Sequence, residues 1–207
     1  EYRPQRLQDV VGQPCIPAML RLVKQPYECC LMFQGPPGTG KTTTALALAH
    51  ELGCSDDWSG LTIIPSVDLT IERCRELFER TLRLRPMTGN GWRVVVIEEL
   101  EACSSVTVQR YLKVALETGL PRMSLIAATS NATDGLDPAL VQRFDLFTFL
   151  GDGSFGDRAS LQLERIWTKA SGGKPLPGNP KSWGMTGEDS FSFRQALQTM
   201  QRHLSLL

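Results

Sequence analysis

The sequence has no net charge: 22 Lys and Arg residues balance 22 Asp and Glu residues among 207. No overall field therefore marks a nucleic-acid or membrane-surface protein, although a local basic face is compatible with a neutral total. A C-x-x-C pair is also missing. The six cysteines, at positions 15, 29, 30, 54, 74 and 103, signal neither a zinc site nor a disulfide framework. Cys29, Cys30 and Cys74 lie in apolar contexts and read as small reduced core residues, which points to a reducing compartment, cytoplasmic or nuclear. There is no run of about 18 uncharged apolar residues, so no membrane-spanning helix is expected. Internal repeats are absent. The two histidines, His50 and His203, lack Cys, Asp or Ser partners at catalytic spacing and read as structural. Trp58, Trp92, Trp167 and Trp183 form no stacking platform and read as packing residues.

What is present is enough apolar material, 42 % of the residues, for a proper core. Short apolar runs alternate with longer helical segments, the pattern of an α/β domain with a largely parallel sheet. Candidate strands are "CCLMFQ" (29–34), "LTII" (61–64), "WRVVVI" (92–97), "MSLIAAT" (123–129) and "LFTFL" (146–150). Helices are expected over 41–52, ending at Gly53, over 69–84 with Asp68 as N-cap, and over 105–118 with a Ser104 or Ser105 cap. After Leu150 the composition changes. "GDGSFG" (151–156) reads as a hinge, a helix follows, the Gly/Pro-rich stretch 171–190 reads as a loop, and "FRQALQTMQRHL" closes the chain as a helix. The division expected is 1–150 and 151–207.

"GPPGTGKTT" (35–43) matches G-x-x-x-x-G-K-[ST] and stands between a strand and a helix, as that phosphate-binding motif must. Gly35, Gly38 and Gly40 let the main chain wrap closely, with Pro36, Pro37 and Thr39 between them, so that N–H groups point at phosphate oxygens. The following helix N-terminus adds positive dipole. Lys41 is expected at the β- and γ-phosphates, with Thr42 ligating Mg²⁺ and Thr43 beside it. The expected ligand is ATP with Mg²⁺. A second motif, "VVVIEELEA" (94–102), is a strand ending in two carboxylates, which are poor packing material without partners. Its C-terminal end should open on the same crevice. Glu98 is then expected to face Mg²⁺ and Glu99 to polarise an attacking water.

With both motifs in place, the chain resembles AAA+ ATPases, most closely the small subunits of replication factor C-type clamp loaders. "EYRPQRLQDVVGQ" (1–13) resembles the family's Y-R-P-x-x-L-x-D-h-V-G-Q box, which implies that Tyr2, Arg3, Pro4, Val10 and Val11 lie near the adenine. "SLIAATSNATDGLDPALVQRF" resembles the stretch that holds a polar sensor, here Asn131, and an arginine finger, here Arg143, acting in the neighbouring subunit's site. "FSFRQALQTMQ" resembles the lid helix, with its sensor arginine at Arg194. The resemblance implies a P-loop NTPase fold: a five-stranded parallel sheet flanked by helices, then a small helical lid. It also implies other AAA+ subunits in a ring, a sliding clamp and primer–template DNA as partners, and no membrane. The chain opens at Glu1 and stops at Leu207 within a helical pattern, so a trimmed segment is expected, followed in the family by a collar domain.

Three departures stand out. The family's acidic pair is Asp-Glu, whereas Glu98 precedes Glu99 here, and the added methylene moves the carboxylate by about 1.3 Å. Mg²⁺ demands near-ideal octahedral order, so slowed hydrolysis is expected. The family's S-R-C around the finger is Gln142-Arg143-Phe144. The middle of the lid is replaced by 171–190. Two rival functions remain: another AAA+ remodelling motor, disfavoured because "PSVDLTIERCREL" has no aromatic pore-loop residue before Phe78, and a nucleotide-binding scaffold with weak hydrolysis. Arg80, Arg83, Arg85, Arg93, Arg110 and Lys113 are candidate DNA-backbone contacts.

Overall fold

A computed structural model describes residues 3–54, 60–86 and 89–206. Two residues singled out above, Tyr2 and Trp58, lie outside them. Five strands, β1 (Cys29–Gln34), β2 (Leu61–Pro65), β3 (Arg93–Glu98), β4 (Ser124–Ser130) and β5 (Asp145–Thr148), form one parallel sheet in the order β2-β3-β4-β1-β5. All five expected strands form, β1 over the residues expected and the other four with one or both ends displaced by one or two residues. Side chains alternate between its faces. Leu31, Phe33, Val94, Val96, Leu125 and Ala127 meet helices α1 (Ile16–Lys24) and α2 (Lys41–Glu51) on one side. Met32, Val95, Ile97, Ile126 and Ala128 meet α3 (Ile71–Glu79), α4 (Val106–Glu117) and α5 (Pro138–Val141) on the other. With both faces covered, the strands need to be apolar throughout, which is why they were visible as continuous runs. Each fully buried Val, Leu or Ile contributes about 1.5–3 kcal/mol.

Helix boundaries follow their caps. Ser105 caps α4, its hydroxyl accepting from the Val108 N–H, and Gly119 (φ +84°) ends that run. At α3 the expected Asp68 cap is replaced by Thr70, whose hydroxyl accepts from the Arg73 N–H at 3.1 Å; Asp68 sits in a preceding 3-10 turn. The helix itself stops at Glu79 and a separate 3-10 turn covers Thr81–Arg83. The hinge reading of 151–156 is also corrected. Asp152 Oδ1 accepts from the Phe155 N–H at 2.9 Å, and Gly153 to Gly156 form the first turn of α6 (Gly153–Ala170). An N-cap outweighs two glycines that sit at the start of a helix rather than in its interior.

Beyond α6, the stretch read as a loop contains a 3-10 turn (Pro180–Trp183) and a hairpin of β6 (Met185–Gly187) and β7 (Ser190–Phe191), before α7 (Phe193–Leu204). Phe155, Leu163, Trp167, Trp183, Phe191 and Met200 make a second core. The Trp167 indole N–H donates to the Lys174 carbonyl at 2.8 Å, and the His203 ring stands 5.5 Å from Trp183. Among the described residues, no helix is long and apolar enough to cross a membrane.

Candidate active site

From β1 the chain crosses to β2 at the far edge, comes back through β3 to the central β4, and then passes over to β5 on the other side of β1. Between β1 and β4 the strand order therefore reverses, and the crevice beyond their C-terminal ends is where such sheets bind ligands. The loop 35–40 leaves β1 at this crevice and enters α2 at Lys41. Its glycines serve different ends. At Gly38 (φ +79°) a Cβ would run into the Ser192 hydroxyl unless that side chain turned away, so the loop and the start of α7 are closely apposed. Gly35 similarly gives way to the Phe149 carbonyl, and its N–H is already held by the Ser130 carbonyl at 3.1 Å. Gly40 (φ +98°) caps α2 in the left-handed conformation with nothing within 4 Å of a Cβ position. Only there does the missing side chain leave open space, at the helix N-terminus where an anion is favoured.

Lys41 is buried. Its ammonium donates to the Gly35 carbonyl (2.6 Å), the Pro36 carbonyl (2.8 Å) and Asn131 Oδ1 (2.9 Å). Burial draws its pKa down to about 8; the carboxylates of Glu101 and Glu99 act against this, while Arg194 acts with it. Desolvation of an ammonium has that sign. The Thr39 hydroxyl donates to the Pro36 carbonyl at 2.8 Å, bracing the loop from within. Thr42 and Thr43 occupy the first turn of α2, both half-buried.

Glu98 closes β3, half-buried, in register with Pro65 of β2. Glu99 is exposed and left-handed (φ +53°), one of two non-glycine residues with positive φ among those described. This costs on the order of 1–2 kcal/mol, and two hydrogen bonds hold it: the Glu99 N–H donates to the Thr129 hydroxyl at 3.1 Å, and its carbonyl accepts from the Ser66 hydroxyl. The turn that follows carries a carboxylate that sequence reasoning missed. Glu101 Oε1 accepts from the Asn131 N–H at 2.9 Å, and its Oε2 is buried without a partner among the described residues. The signal was in plain view as a third acid in "EELE", but its meaning depends on the left-handed turn at Glu99, which brings it back toward β4. Gln13 was also missed. Its amide donates to the Thr39 carbonyl (3.1 Å) and the Leu150 carbonyl (3.0 Å), and its Oε1 accepts from the Leu150 N–H (2.8 Å).

Of the residues expected near the base, Val10 is buried in the core beneath α1 and α2, and Val11 packs against the C-terminal core. Pro4 is half-buried and Arg3 exposed. The Phe193 N–H donates to the Gly38 carbonyl at 3.0 Å, so the C-terminal segment rests directly on the phosphate loop, with the exposed Arg194 one residue further along. The structure thus gathers the loop, Lys41, Asn131, Glu99 and Arg194 around one crevice. Arg143 is elsewhere, on the surface after α5, paired with Glu117 of α4 at 3.0 Å. One candidate DNA contact is corrected, because Arg93 is buried; Lys113 pairs with Asp137 at 3.1 Å. Among the described residues no three His, Cys, Asp or Glu side chains cluster for a metal. One hydroxyl (Thr42) and one carboxylate (Glu98) are still a fitting donor set for Mg²⁺, which is held chiefly by phosphate oxygens and water.

Comparison with known proteins agrees with this geometry. Residues 31–152 match the family described as "ATPase family associated with various cellular activities (AAA)". The chain is 33 % identical to the replication factor C small subunit of Methanothermobacter thermautotrophicus over 72 % of its own length and 46 % of the relative's. It is 30 % identical to replication factor C subunit 3 of Saccharomyces cerevisiae over 72 % and 44 %. It spans about half the length of these curated relatives. In structure it resembles a DNA polymerase III gamma subunit-related protein of Thermotoga maritima (TM-score 0.61, 14 % identity, 89 % of this chain and 57 % of that one). A point variant of Thermotoga maritima RuvB is equally similar (TM-score 0.61, 17 % identity, 97 % and 73 %). At such identities these two neighbours speak for the fold alone, a P-loop NTPase sheet with a helical C-terminal region. The matched segment takes in the phosphate loop, both acidic residues, Asn131 and Arg143, and the chain belongs to the AAA family of ATPases.

Proposed function

We propose that this chain binds and hydrolyses ATP as the motor portion of a clamp-loader-like subunit, with 1–150 as its ATPase unit and 151–207 as its lid. The observation that carries the reading is the buried Lys41 ammonium, held by two loop carbonyls and by Asn131 beside an open helix N-terminus. An unreacted cation is being stored where phosphate oxygens would replace its carbonyl acceptors. On binding, Lys41 turns to the β- and γ-phosphates and the free N–H groups at the start of α2 add to the cradle. Bound Mg²⁺ would be held by Thr42 and Glu98, and supplies countercharge to the phosphate oxygens. Glu99 takes the proton of the attacking water, which Asn131 helps to orient. Val10 in the sheet core and Val11 against the C-terminal core are the apolar residues assigned to the base, with Arg3 and Pro4 beside them. Arg194 brings the lid to the phosphates. Arg143, released from Glu117, serves the site of a neighbouring AAA+ subunit in a ring.

Similarity to replication factor C subunits favours a sliding clamp and primer–template DNA as the partners of the whole assembly, in the cytoplasm or nucleus. A second reading, a nucleotide-binding scaffold, is favoured by Glu98 standing where the family has Asp. Two measurements decide. ATP with Mg²⁺ should bind the wild-type chain, and Lys41→Ala should abolish that binding; retention of affinity in the variant refutes the site. Turnover should rise on addition of clamp and primed DNA and disappear in Glu99→Gln. Equal inertness of both proteins, with binding intact, would leave the scaffold. Turnover indifferent to clamp and DNA would point to a different AAA+ motor.

A further inference from the structure

A cavity of about 460 Å³ opens at the far end of the sheet from the phosphate loop. It lies between the segment after α3, the start of β3 and the turn into β4, and four arginines line it: Arg83, Arg85, Arg93 and Arg122. Among the described residues, no carboxylate lines it. Among the described residues, Glu28 is an acid within the field of Arg122, and its Oε1 already accepts from the Met123 N–H at 2.8 Å.

Two of the four are fixed before any ligand arrives. Arg83 Nε donates to the Phe78 carbonyl (3.2 Å) and Arg93 Nε to the Leu84 carbonyl (3.0 Å). Each guanidinium carries five N–H donors in a planar fork that matches phosphate geometry, so donors remain for a ligand. Arg93 is only 5 % exposed, a costly place for a cation without a counter-anion. An independent sign comes from the backbone. Besides Glu99, the one other non-glycine residue with positive φ among those described is Met123 (φ +60°), which lines this cavity and whose carbonyl accepts from the Arg93 N–H at 2.9 Å. Strain of this kind persists where the surroundings over-determine it and gathers at functional sites. One strained residue therefore stands at the Glu98 end of β3 and the other at the Arg93 end, about 16 Å apart along the strand.

We propose that these four arginines form a second anion site, for a small ligand bearing phosphate groups. The cavity is of small-ligand size, and Leu82 and Leu84 add apolar wall beside the charges. A nucleic-acid backbone is the poorer occupant, because laid across the surface it would meet the exposed Arg83, Arg85 and Arg122 but not Arg93, which is inside.

The test uses the 207-residue chain carrying Lys41→Ala, which disables the phosphate loop, and titrates it with pyrophosphate by calorimetry at low salt. One equivalent should bind, and Arg85→Gln with Arg122→Gln should weaken binding by about tenfold or more, since each substitution removes charge-assisted hydrogen bonds to the anion. These exposed positions carry the test because Arg93→Gln endangers folding. ADP binding more tightly than pyrophosphate would assign the apolar wall to a nucleoside; equal affinities would leave phosphate as the recognised group, and both support the site. Absence of binding to the Lys41→Ala protein overturns it, as does affinity unchanged by the double substitution. Binding of duplex DNA without pyrophosphate would overturn it in favour of a backbone-contacting surface.

Discussion

Lys41→Met should separate stability from function, with opposite signs. The folded protein draws the lysine from its ordinary 10.5 to about 8, so below pH 8 a proton is carried at a site that disfavours it. That difference corresponds to about 3 kcal/mol, and solvent at the mouth of the crevice reduces it to about 2 kcal/mol. Methionine keeps the length of the side chain and removes the charge. It also deprives the Gly35 and Pro36 carbonyls and Asn131 Oδ1 of a donor, an offset of about 1 kcal/mol where water cannot replace it. The net expectation is a gain of about 1 kcal/mol at pH 7, or roughly 2–4 °C in Tm for a chain of this size. The gain must depend on pH. A folded pKa below the unfolded one means that the unfolded chain binds more protons between about pH 8 and 10.5, so wild-type stability rises relative to the variant through that window. Calorimetric melts at pH 7 and pH 9.5 check it, alongside an ATP titration that the variant should fail. A lower Tm for the variant at pH 7, or a gain of equal size at both pH values, would refute the reasoning.

Other substitutions probe the same crevice. Glu99→Gln should leave ATP affinity within about threefold while lowering turnover by about 10²–10⁴-fold, read in a single-turnover assay. Glu101→Gln keeps an acceptor for the Asn131 N–H but removes the charge that most opposes the fall in the Lys41 pKa; the pH at which ATP affinity begins to decline should move down, and an unmoved profile would deny Glu101 that role. Gln13→Ala removes three hydrogen bonds that join Thr39 to Leu150 and should cost about 2–3 kcal/mol in denaturant unfolding. Gly38→Ala places a Cβ against the Ser192 hydroxyl at a positive φ, so hydrogen exchange at Phe193 and its neighbours should accelerate if that contact seats the C-terminal segment.

Much of the sheet was legible because burial on both faces forces each strand to be apolar along its length. Met32, between Leu31 and Phe33, faces a different core from its neighbours yet is equally buried. The phosphate loop was legible because its chemistry is local: glycines, one lysine and a helix start. What escaped was whatever depended on distant chain segments. The glycines at 151 and 153 resemble a hinge until Asp152 is seen capping α6. The same holds for Arg93, which reads as one of a basic cluster but opens a central strand with its side chain inside. Glu101 and Gln13 carry no periodic signal, since each acts through one contact to a residue far along the chain.

Those non-local contacts join into a chain across the sheet. Glu101 follows β3 and holds the Asn131 N–H; Asn131 follows β4 and accepts from Lys41; Lys41 donates to the loop that leaves β1. The order of the links is the order of the strands, β3-β4-β1. Any ligand that draws the Lys41 ammonium away from Asn131 removes the middle link, and Asn131 keeps its backbone anchor to Glu101 while its amide is freed. The segment that begins at Asn131 runs on through α5 to Arg143 and its ion pair with Glu117. That pair is exposed, and surface pairs are worth only about 0–1 kcal/mol. A change at Asn131 transmitted along this segment would therefore meet little resistance from the Glu117 pair at its far end.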